Sequence, residues 1–195
     1  MLRLATTDNA AAIRDIYAPY VRETSITFEE SVPTESEIRD RIDAKRPTFP
    51  WFVCELDDSV VGYAYAGELR SRAAYRWVVE TSVYVDESAE GRGVGRALYS
   101  VLLACLERQG FADAYAVITV PNPRSIDFHD RMGFERATRF PEMGYKQGAW
   151  YDVEWWRRSL AERRSPPAAP RAVDEVRGDD WWASAIERAE SRLDG

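Results

Sequence analysis

The stretch between residues 77 and 110 places a predicted strand, a glycine-rich turn and a long amphipathic helix in direct succession. The strand covers about 77–85, and the turn, EGRGVGR, runs from Glu90 to Arg96. The helix ends near Gly110, and its apolar side chains recur at helical spacing: Leu98, Val101, Leu102 and Cys105. Glycines let backbone N–H groups converge without obstruction by a Cβ atom, and a helix N-terminus adds partial positive charge. The succession therefore predicts a binding site for a pyrophosphate.

Three kinds of nucleotide-binding loop compete for this turn, beside the plain alternative of a tight turn before a helix. A Rossmann turn needs its third glycine after two intervening residues, whereas Gly95 follows Gly93 after one. A P-loop needs Gly-Lys-Ser/Thr, and the turn has no lysine. The remaining kind is the acyl-CoA loop Gln/Arg-x-x-Gly-x-Gly, which the turn matches except at its first position, Glu90. A carboxylate beside a pyrophosphate is unfavourable unless it points outward, but the backbone donors remain, so we expect binding to survive.

The flanking sequence predicts an alternation of short strands and helices. Thr7 or Asp8 is the expected cap of the first helix, and Thr34 begins a capping box for the second. Asn122 caps a later helix, which ends at Gly133. The other predicted strands cover about 1–5, 51–56, 60–68, 114–119, 134–139 and 150–157.

Composition changes at Ser165, where a Pro/Ala-rich run begins. We therefore divide the chain into a folded domain (1–160), a linker (161–172) and an acidic tail (173–195). A segment of about 20 residues cannot build a core alone, so the tail is predicted to dock as a helix, with a disordered tail as the alternative. The large apolar side chains available for docking are Trp181, Trp182, Ile186 and Leu193.

Charge and composition narrow the class of protein. The net charge of -7 gives no basic field for tracking phosphates, which argues against nucleic acid as the main partner. No apolar run reaches the ~18 residues of a membrane span, and no signal peptide is visible, so we expect a cytoplasmic protein. Cys54 and Cys105 predict buried thiols without a disulfide framework, and one histidine with two distant cysteines predicts no metal site. Lys45 and Lys146 are the only lysines, a composition typical of salt-loving organisms or of a GC-rich genome.

Several motifs resemble those of the GNAT N-acetyltransferases, and in particular the branch that acetylates phosphinothricin and methionine sulfoximine. The segment 83–96 resembles motif A of that family, and 122–134 resembles the helix that follows, with its closing Gly-Phe. The resemblance covers about residues 1–160. Motifs specific to the branch are Ile26-Thr27-Phe28, 62–67 (GYAYAG), 74–77 (AYRW), 80–85 (ETSVYV), 144–150 (GYKQGAW) and Asp152-Val153.

The resemblance implies a GNAT fold, an α/β structure with a mixed, mostly antiparallel sheet and helices on both faces. Two adjacent parallel strands, near Val83 and Ala116, would splay to admit acetyl-CoA. The implied reaction is direct acetyl transfer to the amine of a small amino-acid-like substrate within a ternary complex. Two alternatives remain: acetylation of a protein N-terminus or lysine, and a non-catalytic acyl-CoA-binding module. The resemblance also implies a homodimer, and we expect the tail to dock on its own domain or on the partner, beside the pocket.

Two residues are predicted to be catalytic. Glu80 lies in a strand of uncharged residues, where an unpaired carboxylate is costly to bury. A salt bridge to an arginine would explain it, but the resemblance implies a general base whose raised pKa suits deprotonation of an amine. His129, the only histidine, has an ordinary structural explanation on a helix. The resemblance implies that His129 holds the thioester end of CoA or protonates the leaving thiolate.

The binding residues follow from the turn and from the resemblance. The predicted acetyl-CoA contacts are Val83, Tyr84, Val85, Gly91, Arg92, Gly93, Val94, Gly95, Arg96, Asn122 and Ser125. An amino-acid acceptor carries a carboxylate, which the planar fork of arginine binds well, although the arginines of this loop could equally be solvated. The predicted substrate contacts are Phe28, Arg70, Arg72, Tyr75, Thr81 and Ser82.

Overall fold

The computed structural model describes residues 1–178 and 180–193, and its strands form a seven-stranded mixed sheet. The strands are β1 (Leu2–Leu4), β2 (Trp51–Leu56), β3 (Ser59–Glu68), β4 (Val78–Val85), β5 (Asp113–Val120), β6 (Glu135–Lys146) and β7 (Ala149–Ser159). Their order is β1-β2-β3-β4-β5-β7-β6, and each neighbouring pair is antiparallel except β4–β5. The predicted mixed, mostly antiparallel sheet is confirmed.

Helices cover both faces of the sheet, as predicted. They are α1 (Ala10–Glu23), α2 (Glu35–Lys45), α3 (Val94–Gln109), α4 (Pro123–Arg131), α5 (Val173–Arg177) and α6 (Trp181–Glu190). Ile13 of α1 and Ile42 of α2 share one core with Val53, whereas Leu98 of α3 shares the other with Phe52. Adjacent strand residues enter opposite cores because successive side chains point to opposite faces. None of the described helices is long and apolar enough to cross a bilayer.

The capping signals in the sequence correspond to the ends of helices. Thr34 Oγ1 accepts the Glu37 N–H at 3.2 Å, and the Asn122 side chain accepts the Ser125 N–H at 3.1 Å. Gly133 follows α4 with a left-handed φ of 80°. These predictions are confirmed, because each cap depends only on residues that are close together in the chain.

Two predicted boundaries are wrong. Residues Thr7–Asn9 form a short 3-10 turn, so α1 begins at Ala10, beyond the expected cap. The Asn9 side chain holds this turn by accepting the Thr6 N–H at 2.9 Å. β6 is longer than predicted and continues to Lys146, because it pairs with β7 along a hairpin with two register shifts.

β4 and β5 separate partway along their length. Within these two strands, all of whose residues the structure describes, the parallel ladder ends at the pair Glu80–Tyr115. Residues 81–85 of β4 and 116–120 of β5 therefore face each other without ladder hydrogen bonds. The expected splayed parallel pair is confirmed, and it opens a cleft at one end of the sheet.

The tail folds back onto the domain as two helices, α5 and α6, where the sequence predicted one. The Trp182 ring stacks on Phe52 with centroids 5.6 Å apart, and the Glu190 carboxylate accepts the Leu2 N–H at 2.5 Å. Residues 179, 194 and 195 of the predicted tail lie outside the described residues. The large apolar side chains of the tail that pack against the α3 core are Trp181, Trp182, Ile186 and Leu193.

We expect Trp182→Ala to lower the free energy of unfolding by about 2–3 kcal/mol, because it removes a partly buried ring from Phe52. Arg188→Ala, which truncates an exposed side chain of the same helix, should change that free energy by less than ~0.5 kcal/mol. Urea denaturation followed by circular dichroism measures both. Equal unfolding midpoints for the two variants would show that the docked tail adds nothing to the stability of the domain.

Candidate functional site

The cleft between β4 and β5 has a volume of about 810 Å³, within the ~300–1,000 Å³ typical of small-molecule sites. All but one of the predicted cofactor contacts line it: Val83, Tyr84, Val85, Gly91, Gly93, Val94, Gly95, Arg96, Asn122 and Ser125. The exception is Arg92, which does not line the cleft. Its positive charge acts instead on the pKa of the Cys54 thiol in β2. The alternating glycines of the turn therefore face the cleft, and the arginine between them does not.

The glycine-rich turn closes the end of the cleft where α3 begins. Gly91 and Gly93 have φ angles of 78° and 77°, in the left-handed region that residues with a Cβ rarely adopt. A Cβ on Gly93 would also collide with the Arg192 carbonyl oxygen, because the end of the tail packs against the turn. Backbone N–H groups of the turn and of the first turn of α3 supply the positive potential that favours a pyrophosphate.

Glu90, the residue that departs from the acyl-CoA loop pattern, is paired with Arg124. Its Oε2 lies 2.5 Å from Arg124 Nη1, and both residues line the cleft. The arginine belongs to the first turn of α4, so the ion pair joins two walls of the cleft. The pairing offsets a carboxylate charge that would otherwise repel a bound phosphate. Arg124 was not predicted, because only the fold brings these two positions together.

Glu80 lies at the last ladder position before the strands separate. Its neighbour Val79 belongs to the α3 core, so the Glu80 side chain points to the face that α1 and α2 cover. Burial raises the pKa of its carboxyl, and the charges of Lys45 and Arg70 partly offset that effect. Within residues 1–178 and 180–193 no salt bridge holds this carboxylate. Its environment therefore differs from the structural salt bridge that was the alternative explanation.

Two of the predicted substrate contacts lie around Glu80. Arg70 lies over the Trp155 ring, 5.4 Å from its centroid, and is one of the two cations that act on the Glu80 carboxylate. Ser82 lies two residues further along the same face of β4 and lines the cleft. Of these three residues only Ser82 lines the cleft, and Glu80 and Arg70 lie outside its lining.

Three other predicted substrate contacts are not brought to this point. Arg72 and Tyr75 are exposed in the connection before β4, and no contact in the described part of the chain joins either to Glu80. Phe28 packs against Gly144 of β6 and is absent from the residues that line the cleft. The sequence pattern could not separate these residues from Arg70, because the direction of a loop side chain is set by tertiary contacts.

A buried hydrogen-bond chain links Thr81, Tyr99 and His129 on the α3 side of the cleft. Thr81 Oγ1 lies 2.6 Å from the Tyr99 hydroxyl oxygen, which lies 3.1 Å from His129 Nε2. His129 Nδ1 lies 2.8 Å from the Ser125 carbonyl oxygen. A carbonyl only accepts, so Nδ1 carries the hydrogen and Nε2 is the acceptor for the Tyr99 hydroxyl. Thr81, predicted as a substrate contact, has its hydroxyl engaged in this chain.

His129 is neutral at pH 7, because burial lowers its pKa to about 4. The side chain is only 6% exposed, and its one N–H is held by the Ser125 carbonyl. Protonation of a thiolate requires a donor that is free to release its hydrogen, so this geometry does not support the predicted acid role of His129. Tyr99 was missed in the sequence analysis. The available signal was a hydroxyl within the apolar stripe of α3.

Two further residues near the cleft were also missed. Tyr20 lines it and donates its hydroxyl hydrogen to the Val85 carbonyl at 2.7 Å. Lys45 reaches the neighbourhood of Glu80 from the end of α2, and its rarity in this chain was the available signal. No group of three or more His, Cys, Asp or Glu side chains within residues 1–178 and 180–193 is arranged to hold a metal ion.

The chain matches known proteins along most of its length. A family model described as an acetyltransferase (GNAT) domain matches residues 2–155. A phosphinothricin N-acetyltransferase of Streptomyces viridochromogenes is 36% identical over 175 residues, covering 90% of this chain and 95% of the relative. An L-methionine sulfoximine/L-methionine sulfone acetyltransferase of Salmonella typhimurium is 33% identical over 168 residues, covering 86% of this chain and 98% of the relative.

Solved structures share the fold. A putative acetyltransferase of Salmonella typhimurium with its cofactor acetyl-CoA has a TM-score of 0.83 and 32% identity, covering 87% of this chain and 98% of that one. A GNAT superfamily phosphinothricin acetyltransferase of Sinorhizobium meliloti in complex with acetyl-CoA has a TM-score of 0.81 and 34% identity, covering 92% and 96%. A ribosomal-protein-alanine N-acetyltransferase of Brucella melitensis has a TM-score of 0.79 and 30% identity, covering 82% and 99%.

The lowered pKa of His129 predicts an acid-sensitive fold. Its pKa is about 4 in the folded protein and about 6.5 in an unfolded chain, so the unfolded state binds more protons between these values. The free energy of unfolding should therefore fall by about 3 kcal/mol between pH 6.5 and pH 4 on account of this residue. His129→Gln should remove that part of the pH dependence, whatever its stability at pH 7. Urea denaturation at several pH values measures it, and identical slopes in both proteins would contradict the assignment.

Proposed function

Because the chain belongs to the GNAT acetyltransferase family, we propose that it transfers the acetyl group of acetyl-CoA to the amine of a small amino-acid-like acceptor. The observation that carries the proposal is the cleft itself, which has an anion-binding turn at one end and Glu80 beside its mouth. The relatives named for phosphinothricin and methionine sulfoximine supply the class of acceptor. Direct transfer in a ternary complex requires both substrates at this junction.

The residues of the cleft suit acetyl-CoA, which supplies the activated acetyl group when bound. The backbone of the glycine-rich turn would hold its pyrophosphate, as at other helix N-termini. Residues 81–85 of β4 have no ladder partner in β5. Their backbone groups that point away from β3 are therefore available to the amides of the pantetheine arm, except at Val85, which Tyr20 holds. Asn122 and Ser125 line the wall opposite β4.

We propose Glu80 as the general base. An amine acceptor is mostly an ammonium ion at neutral pH, and only the free amine attacks a thioester. Glu80 would take the first proton, directly or through water, and a carboxyl with a raised pKa suits this transfer. The nitrogen then bonds to the acetyl carbon as the C–S bond breaks, and the second amine proton passes to the sulfur. The products are the amide and the free thiol of CoA.

We propose that His129 acts as a positioning residue. Its neutral ring connects the Ser125 carbonyl of α4 to the Tyr99 hydroxyl of α3. The chain continues to Thr81 on β4, so three walls of the cleft are tied together beside the point where β4 and β5 part. A buried chain of this kind fixes the position of α4, which carries Ser125 and Arg124 in the cleft.

Thiol release from acetyl-CoA, measured with and without phosphinothricin and methionine sulfone, tests the proposed function. We expect release only when an acceptor is present. Glu80→Gln should lower kcat/KM by about 100-fold. In the wild type, kcat/KM should rise as the pH increases through the raised pKa of Glu80, because the base works deprotonated. Glu107→Gln, which neutralises an exposed carboxylate on α3, should leave kcat/KM and its pH dependence unchanged.

The same assay decides between acceptor classes. A peptide with an N-terminal alanine serves as the competing acceptor, because one structural relative is named as a ribosomal-protein-alanine N-acetyltransferase. Faster turnover of the peptide than of the amino acids would replace the proposed substrate class. Binding of acetyl-CoA without thiol release from any acceptor would favour a non-catalytic module.

We also propose that the protein is a homodimer that pairs through β6. This strand is at the edge of the sheet and is exposed along nearly its whole length. Large apolar side chains on the β6–β7 hairpin are between 40% and 60% exposed: Phe140, Met143, Tyr145 and Trp150. Exposed apolar side chains clustered on a hairpin at the edge of a sheet favour association with another chain.

Sedimentation equilibrium tests the dimer. We expect twice the chain mass of 22.3 kDa for the wild type and a single chain mass for the double variant Tyr145→Asp, Trp150→Asp. Arg188→Asp changes the charge of an exposed position on α6 and should leave the dimer intact. A wild-type protein that sediments as a monomer at ~100 μM would refute the pairing.

A further inference from the structure

Lys45 has a partly buried ammonium that has no polar partner in the part of the chain that the structure describes. Its Nζ lies over the Tyr65 ring, 5.6 Å from the centroid, and among the described residues it makes no hydrogen bond or ion pair. The other lysine, Lys146, donates to the Thr27 carbonyl at 2.6 Å. Burial lowers the pKa of the Lys45 ammonium, so its position carries an electrostatic cost. The charges of Glu80 and Glu68 partly offset that effect, but neither carboxylate forms an ion pair with Lys45 among the described residues, so the ammonium can receive an anionic oxygen of a ligand.

The surroundings of Lys45 direct this ammonium to the proposed active site. Gly67 of β3 is the ladder partner of Glu80, and a Cβ on Gly67 would collide with Lys45 Nζ. The glycine therefore makes room for the ammonium beside the strand that carries the proposed base. Lys45 and Arg70 are the two cations that act on the Glu80 carboxylate, yet neither forms an ion pair with it within the described residues. They come from different elements, α2 and the β3–β4 connection.

A small cavity lies beside Lys45. It has a volume of about 30 Å³, and its lining includes the Arg41 guanidinium, which two hydrogen bonds to Glu29 already satisfy. Trp51 Nε1 is buried in this region without a hydrogen-bond partner in the described chain, and Trp51 itself is 3% exposed. Two hydrogen-bond donors, the indole N–H and the ammonium, therefore belong to residues that line one cavity and have no hydrogen-bond partner in the described chain. Such a site suits an anionic oxygen of a ligand.

We propose that Lys45 is a specificity-determining residue that receives an anionic group on the side chain of the acceptor. The inference rests on the proposed function and deepens it. An amino acid whose amine reaches Glu80 has its α-carboxylate available to Arg70, which leaves Lys45 for a second acidic group. The enzyme should therefore favour an acceptor with an anionic side chain over a neutral one of similar size.

Phosphinothricin and methionine sulfone form a matched pair of probes, since a tetrahedral phosphinate anion in the first stands where a neutral sulfone stands in the second. We expect wild-type kcat/KM for thiol release to be higher with phosphinothricin. Lys45→Met should lower kcat/KM for phosphinothricin by about 10- to 100-fold, as expected for one charge-assisted hydrogen bond, and for the sulfone by less than ~3-fold. The matched control is Arg46→Met, which removes an exposed cation one residue later.

Gly67→Ala provides a second variant that keeps the charge and displaces it. The added methyl meets the flexible end of Lys45, so the fold tolerates it, and the same selective loss on phosphinothricin is expected. If Lys45→Met or Gly67→Ala lowers kcat/KM equally for both acceptors, the ratio of the two kcat/KM values is unchanged. That result would overturn the role of Lys45 in specificity while leaving the proposed function in place. Equal losses with a shifted pH profile would mean that Lys45 acts only on Glu80. A wild type that acetylates neither acceptor would overturn the proposed function and this inference together.

Discussion

The parallel ladder between β4 and β5 ends at Glu80 and Tyr115, and the cleft exists because nothing in the sheet fills the gap beyond that pair. A sheet that loses its ladder would normally leave costly unpaired backbone groups. Side chains hold the junction here, since the Thr81 hydroxyl lies 3.1 Å from the Tyr115 carbonyl and 2.6 Å from Tyr99. The packing of α3 and α4 through His129 then keeps the strands apart. The remaining unpaired backbone of β4 is what a ligand with amide groups can use.

Two glutamates at the cleft differ in how their charges are compensated. Glu90, at the phosphate end, is paired with Arg124, which offsets the repulsion that its carboxylate would exert. Glu80, at the opposite end, is partly buried, has no ion pair in the described chain, and lies between two cations that act on it from a distance. A carboxyl in this state exchanges a proton more easily than one locked in a salt bridge. The contrast between the two glutamates separates an anion-binding end from a proton-transfer end.

The tail packs along the domain from Phe52 of the core to the glycine-rich turn. Trp182 stacks on Phe52, and the chain then passes α6 to bring the Arg192 carbonyl against Gly93. The family model ends at residue 155, so this contact lies outside the part that the chain shares with that model. Gly93 is therefore constrained twice, by its left-handed φ of 77° and by the tail behind it. Substitutions at this glycine would disturb the tail as well as the phosphate site.

The sequence by itself determined the features that depend on neighbouring residues. The helix caps at Thr34 and Asn122, the strand–turn–helix around Gly93, and the alternation that puts Glu80 opposite Val79 each follow from local geometry. These local features do not specify the fold. The resemblance to the GNAT motifs predicted the fold, because the motifs mark equivalent positions in a known arrangement of strands.

Only the tertiary structure decided which distant side chains meet. Lys45 and Glu80, Glu90 and Arg124, and Tyr99 and His129 are each separated by about 30 residues or more, and no periodicity links the members of a pair. The pKa of His129 was likewise undecided, because its burial and its contact with Tyr99 come from packing of α3 against α4, although its other partner, Ser125, lies on the same helix. Arg70 and Arg72 look alike in the sequence, but packing against Trp155 brings only Arg70 to the active-site face. Local patterns fix where an element begins and which face it presents, whereas the packing of elements fixes what that face touches.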